Sequence, residues 1–152
     1  MNKYPATWVV VADSARARFF EWRAPNAPLL EVADLANPEG RIRDRDLSSD
    51  RPGVASNLQG QNGGHPMQAT SSGHDKTELA FADEIDKALT EALDAGKFVQ
   101  LMMFAPPHFL GNLRSRFSER VAKAVVNSEA LNLTREDVSS IRSRLPALKA
   151  IL

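Results

Sequence analysis

The sequence contains no cysteine, which excludes disulfide cross-links, thiolate metal sites and cysteine nucleophiles together. Long apolar runs are missing as well. No stretch approaches the roughly 18 residues needed to span a bilayer, and the opening Met1-Asn2-Lys3-Tyr4-Pro5 lacks the apolar core of a secretory signal. A cytoplasmic location is the expectation. Net charge is also absent, with 19 Lys and Arg balanced by 19 Asp and Glu over 152 residues. The balance hides an asymmetry: residues 1–105 carry 11 basic against 15 acidic side chains, and residues 106–152 carry 8 against 4. That is too mild to imply nucleic-acid binding by itself, but it permits one basic face. Aromatic residues make up only 7%, and none interleave with basic residues as a base-stacking platform would require.

What is present has the make-up of one globular domain, with 43% apolar and 25% charged residues. Thr7 to Ala12 is a continuous β-branched and aromatic run, the pattern of a strand buried on both faces. Asp13-Ser14-Ala15 supplies turn chemistry. Arg16 to Trp22 then alternates polar and apolar residues, and Leu29 to Leu35 gives a third extended segment, so the chain opens as a three-strand meander. Asp75 to Asp94 has a helical period through Leu79, Phe81, Ile85, Leu89 and Leu93, with Gly96 as the C-terminal cap. Phe98 to Phe104 reads as a second buried strand, which makes the helix a crossover. Phe109 to Glu119 predicts a short helix with Arg114, Arg116 and Arg120 off its apolar stripe. Val121 to Val126 is expected as a strand, and Thr134 with Asp137 resembles a capping box that opens a last helix running to Pro146.

Between the meander and the long helix, residues 37–74 hold six of the eight glycines, three of the nine prolines and few large apolar residues, so no core element is expected there. Arg41 to Arg51 is densely charged with both signs. Pro52 to Gly73 carries no Asp, Glu, Lys or Arg at all.

Several stretches resemble the bacterial host-attachment family: Val-Val-Val-Ala-Asp-Ser-Ala-Arg-Ala-Arg-Phe-Phe (9–20), Arg-Asp-Arg-Asp-Leu-Ser-Ser-Asp-Arg-Pro-Gly (43–53), His74-Asp75-Lys76, and Phe104-Ala105-Pro106-Pro107-His108-Phe109-Leu110-Gly111. The element order is similar to the middle domain of archaeal and eukaryotic peptide-release factors. This resemblance implies an α/β fold, a three-layer mixed sheet with flanking helices of the ribonuclease H-like type, and an RNA or ribosomal partner. It implies no cofactor. Release factors carry Gly-Gly-Gln in the corresponding loop. Here the loop reads Gly63-Gly64-His65-Pro66, with the next glutamine at Gln68, so release activity is not carried over.

Three groups of residues could carry chemistry. Asp13 closes the first strand, where ribonuclease H-like enzymes present a metal-binding carboxylate, and Asp34, Asp75 and Glu78 are its available partners; an aspartate in a hairpin turn also bonds the following amides with no metal involved. His65, His74 and His108 are the only histidines, and His65 and His74 join Asp13 as candidate catalytic groups; no zinc-ligand spacing is present, and no metal site is expected. Arg16, Arg18, Arg41, Arg43, Arg45 and Arg51 suit phosphate recognition, unless Asp44, Asp46 and Asp50 neutralise the loop members in solvent. A binding module for RNA or the translation apparatus, a metal-dependent phosphoester hydrolase using Asp13, and an adhesion-related interaction protein are the three functional expectations.

Overall fold

The computed structural model describes the backbone of residues 3–40 and 65–148, and side chains within 3–40 and 75–148. A five-stranded sheet lies at its centre: β1 (Thr7–Ala12), β2 (Arg16–Trp22), β3 (Leu30–Ala36), β4 (Gln100–Phe104) and β5 (Val125–Glu129), in the spatial order β3-β2-β1-β4-β5. β2 is antiparallel to both β1 and β3, whereas β4 is parallel to β1 and β5 parallel to β4. Only β2 therefore runs against the rest.

Sequence pattern explains the positions of the strands. β1 is buried along its whole length, as expected of an unbroken apolar run that must sit at the centre with both faces covered. Trp8 and Val10 join Phe19, Leu101 and Met103 on one face; Val9 and Val11 join Phe20, Trp22, Met102 and Phe104 on the other. The edge strand β3 is mostly exposed and carries an irregularity opposite Phe19/Phe20, a device that discourages pairing with another chain.

Helices cover the first face. α1 (His65–Asp94) is 30 residues long, about 45 Å at helical rise, and packs through Phe81, Ala82, Ile85 and Leu89. α2 (Pro107–Arg116) and α3 (Glu119–Ala124) add Phe109, Leu110, Leu113 and Val121. The second face is closed by α4 (Val138–Ser143) with Leu29, Leu133, Ile141 and Leu148. Helix, sheet and helix make the three-layer α/β plan that the sequence implied. Among the described residues no helix is long and apolar enough to cross a membrane.

Three boundaries differ from the sequence reading. α1 begins at His65, ten residues before Asp75, so residues 65–74 belong to a helix and His74 lies inside it. Those ten residues lack an apolar period in the sequence, but a helix nucleated by packing downstream can extend beyond its apolar stripe. Pro66 is tolerated in the first turn. Residues 119–124 form α3, which takes in the first four residues of the strand expected over Val121 to Val126, because Ser118 caps Val121 N–H, Glu119 suits the positive helix end, and Ala122 and Ala124 are strong helix formers; the β-branched pair Val125-Val126 then opens β5. Asp137, not Thr134, caps α4 by accepting from Ser140 N at 2.8 Å, and that helix stops at Ser143, short of Pro146. Gly96 is borne out as the α1 cap, at φ 75° with its N–H donating to Leu93 O.

Candidate functional site: a cleft at the carboxyl edge of the sheet

The chain leaves β1 toward β2 on one side and leaves β4 toward β5 on the other. The gap beyond the carboxyl ends of β1 and β4 is thus a topological switch point, where open α/β sheets form crevices. A cleft of about 530 Å³ lies there. Asp13 and Ser14 enter it from the end of β1, Pro106, His108 and Phe109 from the end of β4, Asn132, Arg135 and Glu136 from the segment after β5, and Glu78 from α1.

Asp13 acts first as the hairpin turn residue. Its Oδ1 accepts from the backbone N–H groups of Ala15 (2.8 Å) and Arg16 (2.9 Å). Oδ2 accepts the Thr134 hydroxyl at 2.8 Å and, more weakly, Asn132 Nδ2 at 3.5 Å. Both oxygens are committed to holding protein. Asp34 lies on β3 beside Arg18 and does not line the cleft. Among the described residues no three His, Asp or Glu side chains gather as ligands would. The carboxylates named as Asp13's metal partners are therefore not brought together with it as a ligand set.

On the far wall, Glu78 is buried and accepts from Asn112 Nδ2 at 2.9 Å. His108 Nε2 stands 3.3 Å from Asp75 Oδ1 and 3.6 Å from Glu78 Oε1. His108 belongs to the first turn of α2. That helix begins with Pro106 at its N-cap and Pro107 at N1, and no side chain caps it. Its first amides have no intrahelical partner. Arg135 makes no hydrogen bond or ion pair with any described residue.

The other candidates fall into three groups. His65 lies at the start of α1 and His74 nine residues after it on the backbone, but their side chains are outside the described residues, as are Arg41, Arg43, Arg45 and Arg51 entirely. Arg16 sits at the hairpin turn, its N–H on Asp13. Arg18 is held within the protein. Its side chain is 11% exposed, pairs with both oxygens of Glu31 at 2.9 and 3.0 Å, and lies over the Phe20 ring, so it is not offered to an outside phosphate. Hydrogen bonding to Glu31 raises the Arg18 pKa further and lowers that of Glu31. Sequence reasoning missed Asn132, Thr134 and Arg135, and no motif marks them. Their one signal is position, since they follow β5 at the edge where the switch point opens.

Geometry thus defines a class: a three-layer α/β domain with a polar cleft at the carboxyl edge of its parallel strands. The model of the family described as "Protein required for attachment to host cells" matches residues 8–145, and the chain belongs to that family. No curated protein matches it. Among solved structures, the chain is similar to an archaeal translation termination factor, aRF1, at 11% identity and a TM-score of 0.46. That alignment covers 92% of this chain and 35% of the factor, so the chain spans about a third of its length.

Proposed function

We propose that the chain is a non-catalytic binding module that takes a phosphate-bearing partner, RNA in the first place, at this cleft. One observation carries the reading. The cleft's inner acceptors, Asp13 and Glu78, are engaged within the protein, while its donors, the Arg135 guanidinium and the uncapped N-terminus of α2, have no partner among the described residues. A pocket of unspent donors at a positive helix end suits an acceptor-rich anion. Three carboxylates oppose it: Glu136, exposed on the rim, and Asp13 and Glu78, whose oxygens accept hydrogen bonds from neutral donors of the protein. Arg16 adjoins the same turn. Gly40 packs so closely against the Ser14 carbonyl that an added Cβ would lie 2.4 Å from it, and Arg41 follows Gly40 in sequence. A phosphoester hydrolase built on Asp13 is less well supported, because its carboxylate is consumed by the turn and by Thr134.

The test is fluorescence anisotropy with a short single-stranded RNA oligonucleotide across a salt series. Saturable, salt-sensitive binding is expected, weakened by Arg135→Ala and further by replacing Arg41, Arg43 and Arg45 with alanine, which should also flatten the salt slope. Absence of saturable binding, or affinity indifferent to Arg135→Ala, overturns the reading.

A further inference from the structure

We propose that Arg18 is a positioning residue for this cleft, acting by clamping the backbone on both sides of Arg135; the inference rests on the cleft being the binding site. Arg18 lies mid-strand in β2 on the face that packs against α4. Its Nε and Nη2 are taken by the two oxygens of Glu31 on β3. Nη1 reaches the opposite way and donates to Thr134 O at 3.1 Å and Glu136 O at 2.7 Å. Those two carbonyls bracket Arg135 in the chain.

The segment they belong to has no regular secondary structure and forms one wall of the cleft. It is held at a third point by the Thr134 hydroxyl on Asp13. The wall is therefore positioned by residues from β1 and β2 that need not touch a ligand. The planar guanidinium is what makes the clamp possible: one edge lies along the carboxylate while the other spans two carbonyls. A lysine ammonium is a single point on a flexible stem and cannot keep both edges. A purely electrostatic need to neutralise Glu31 would be met by lysine, whereas a need to fix the 134–136 backbone would not.

The experiment uses the full chain labelled with 15N, comparing wild type, Arg18→Lys and Glu31→Gln, with inorganic phosphate as the probe. In wild type, phosphate should shift the Arg135 Nε–H signal. In Arg18→Lys the apparent affinity for phosphate should fall roughly tenfold, and the Glu136 amide, bonded to Leu133 O at 3.1 Å, should exchange roughly tenfold faster. Glu31→Gln leaves both carbonyl bonds in place and should change both readings less. Wild-type exchange and a wild-type phosphate response in Arg18→Lys overturn the clamp. Faster Glu136 exchange with no phosphate response at Arg135 even in wild type supports the clamp and overturns the binding reading instead. Should Arg18→Lys fail to fold, the wild-type Arg18 Nη hydrogens decide: separate, slowly exchanging signals coupled to the Thr134 and Glu136 carbonyls are expected, and one averaged signal from a freely rotating guanidinium overturns the proposal.

Discussion

Replacing Asp13 separates its structural work from a catalytic role. Asp13→Ala removes the acceptor of two turn amides and of the Thr134 hydroxyl. The amides lie in a half-buried turn that water can reach, so they recover part of the loss. Thr134, 1% exposed, keeps a second partner in Asn132 Oδ1 at 2.8 Å. Bonds to a charged acceptor contribute about 1.5–3 kcal/mol each before such compensation, so about 2–3 kcal/mol in total is expected. In a domain of this size that corresponds to roughly 4–12 °C in Tm. Asp13→Asn should cost about 1 kcal/mol or less, because Oδ1 still serves the amides and the Thr134 hydroxyl can turn its proton wholly toward Asn132 and accept from the new amide. The assay is urea unfolding followed by the fluorescence of Trp8 and Trp22, both buried against the sheet, with the m-value checked for constancy. Asparagine as damaging as alanine, or an alanine variant within about 0.5 kcal/mol of wild type, which is the range of an ordinary surface substitution, would refute the account of Asp13 as a turn residue and tether.

The ion pair of Arg18 and Glu31 predicts a pH dependence. Because hydrogen bonding to Arg18 holds the Glu31 carboxyl below its ordinary value of 4.5, the pair's contribution is fully present above that value and is lost as pH falls through the lower folded value; Glu31→Gln should flatten acid unfolding in that window. Ser118→Ala should cost about 1 kcal/mol by uncapping α3, measured by the same urea titration. Phe81→Ala, which opens a cavity beneath α1 where Phe81 stacks on Phe109 at 6.0 Å, should cost about 3–5 kcal/mol by the same measure. Gly40→Ala should shift the Ser14 and Asn37 amide resonances, since its Cβ cannot coexist with the Ser14 carbonyl in the present geometry.

The sheet was legible because its strands are short apolar words with turn residues between them. Thr7 to Ala12 announces burial on both faces, and Asp13 announces the turn. Where the sequence misled, two local signals competed. Val121 to Val126 contains both alanine and β-branched residues, and the structure divides it at Ala124/Val125, helix before and strand after. The first ten residues of α1 carry glycine, serine and proline but no apolar stripe, so periodicity alone could not find them. The cleft was legible only in part. Asp13 and His108 could be named, but Arg135 became a candidate through topology, since residues 13, 78, 106 and 135 are joined only by the parallel order of β1, β4 and β5.

The charge asymmetry between the two halves of the chain has an internal explanation that bears on where a partner can bind. The acidic residues of α1 meet the basic residues of α2 and α3: Arg116 pairs with both oxygens of Asp83 at 2.8 and 2.9 Å, and Arg120 with Asp94. Arg114 is turned to the Ser128 hydroxyl on β5. Exposed pairs of this kind stabilise little, and they are weakened by salt. They nevertheless offset the charges of Arg116 and Arg120, which would otherwise draw a polyanion to α2 and α3. Of the three arginines counted along the short helix, Arg116 and Arg120 are therefore paired, and Arg114 keeps its charge without an acidic partner among the described residues. Arg142 is likewise occupied, donating to Pro25 O while its guanidinium lies over Trp22. Arg135 differs from these residues in having no partner among the described residues, and it stands where the first turn of α2 also leaves its amides uncapped. The donors left without a described partner thus lie at the sheet's carboxyl edge, beside Asp13, Glu78 and Glu136, and not on the most arginine-rich helix, so under the proposed RNA binding the surface of α2 and α3 should contribute little to the salt dependence.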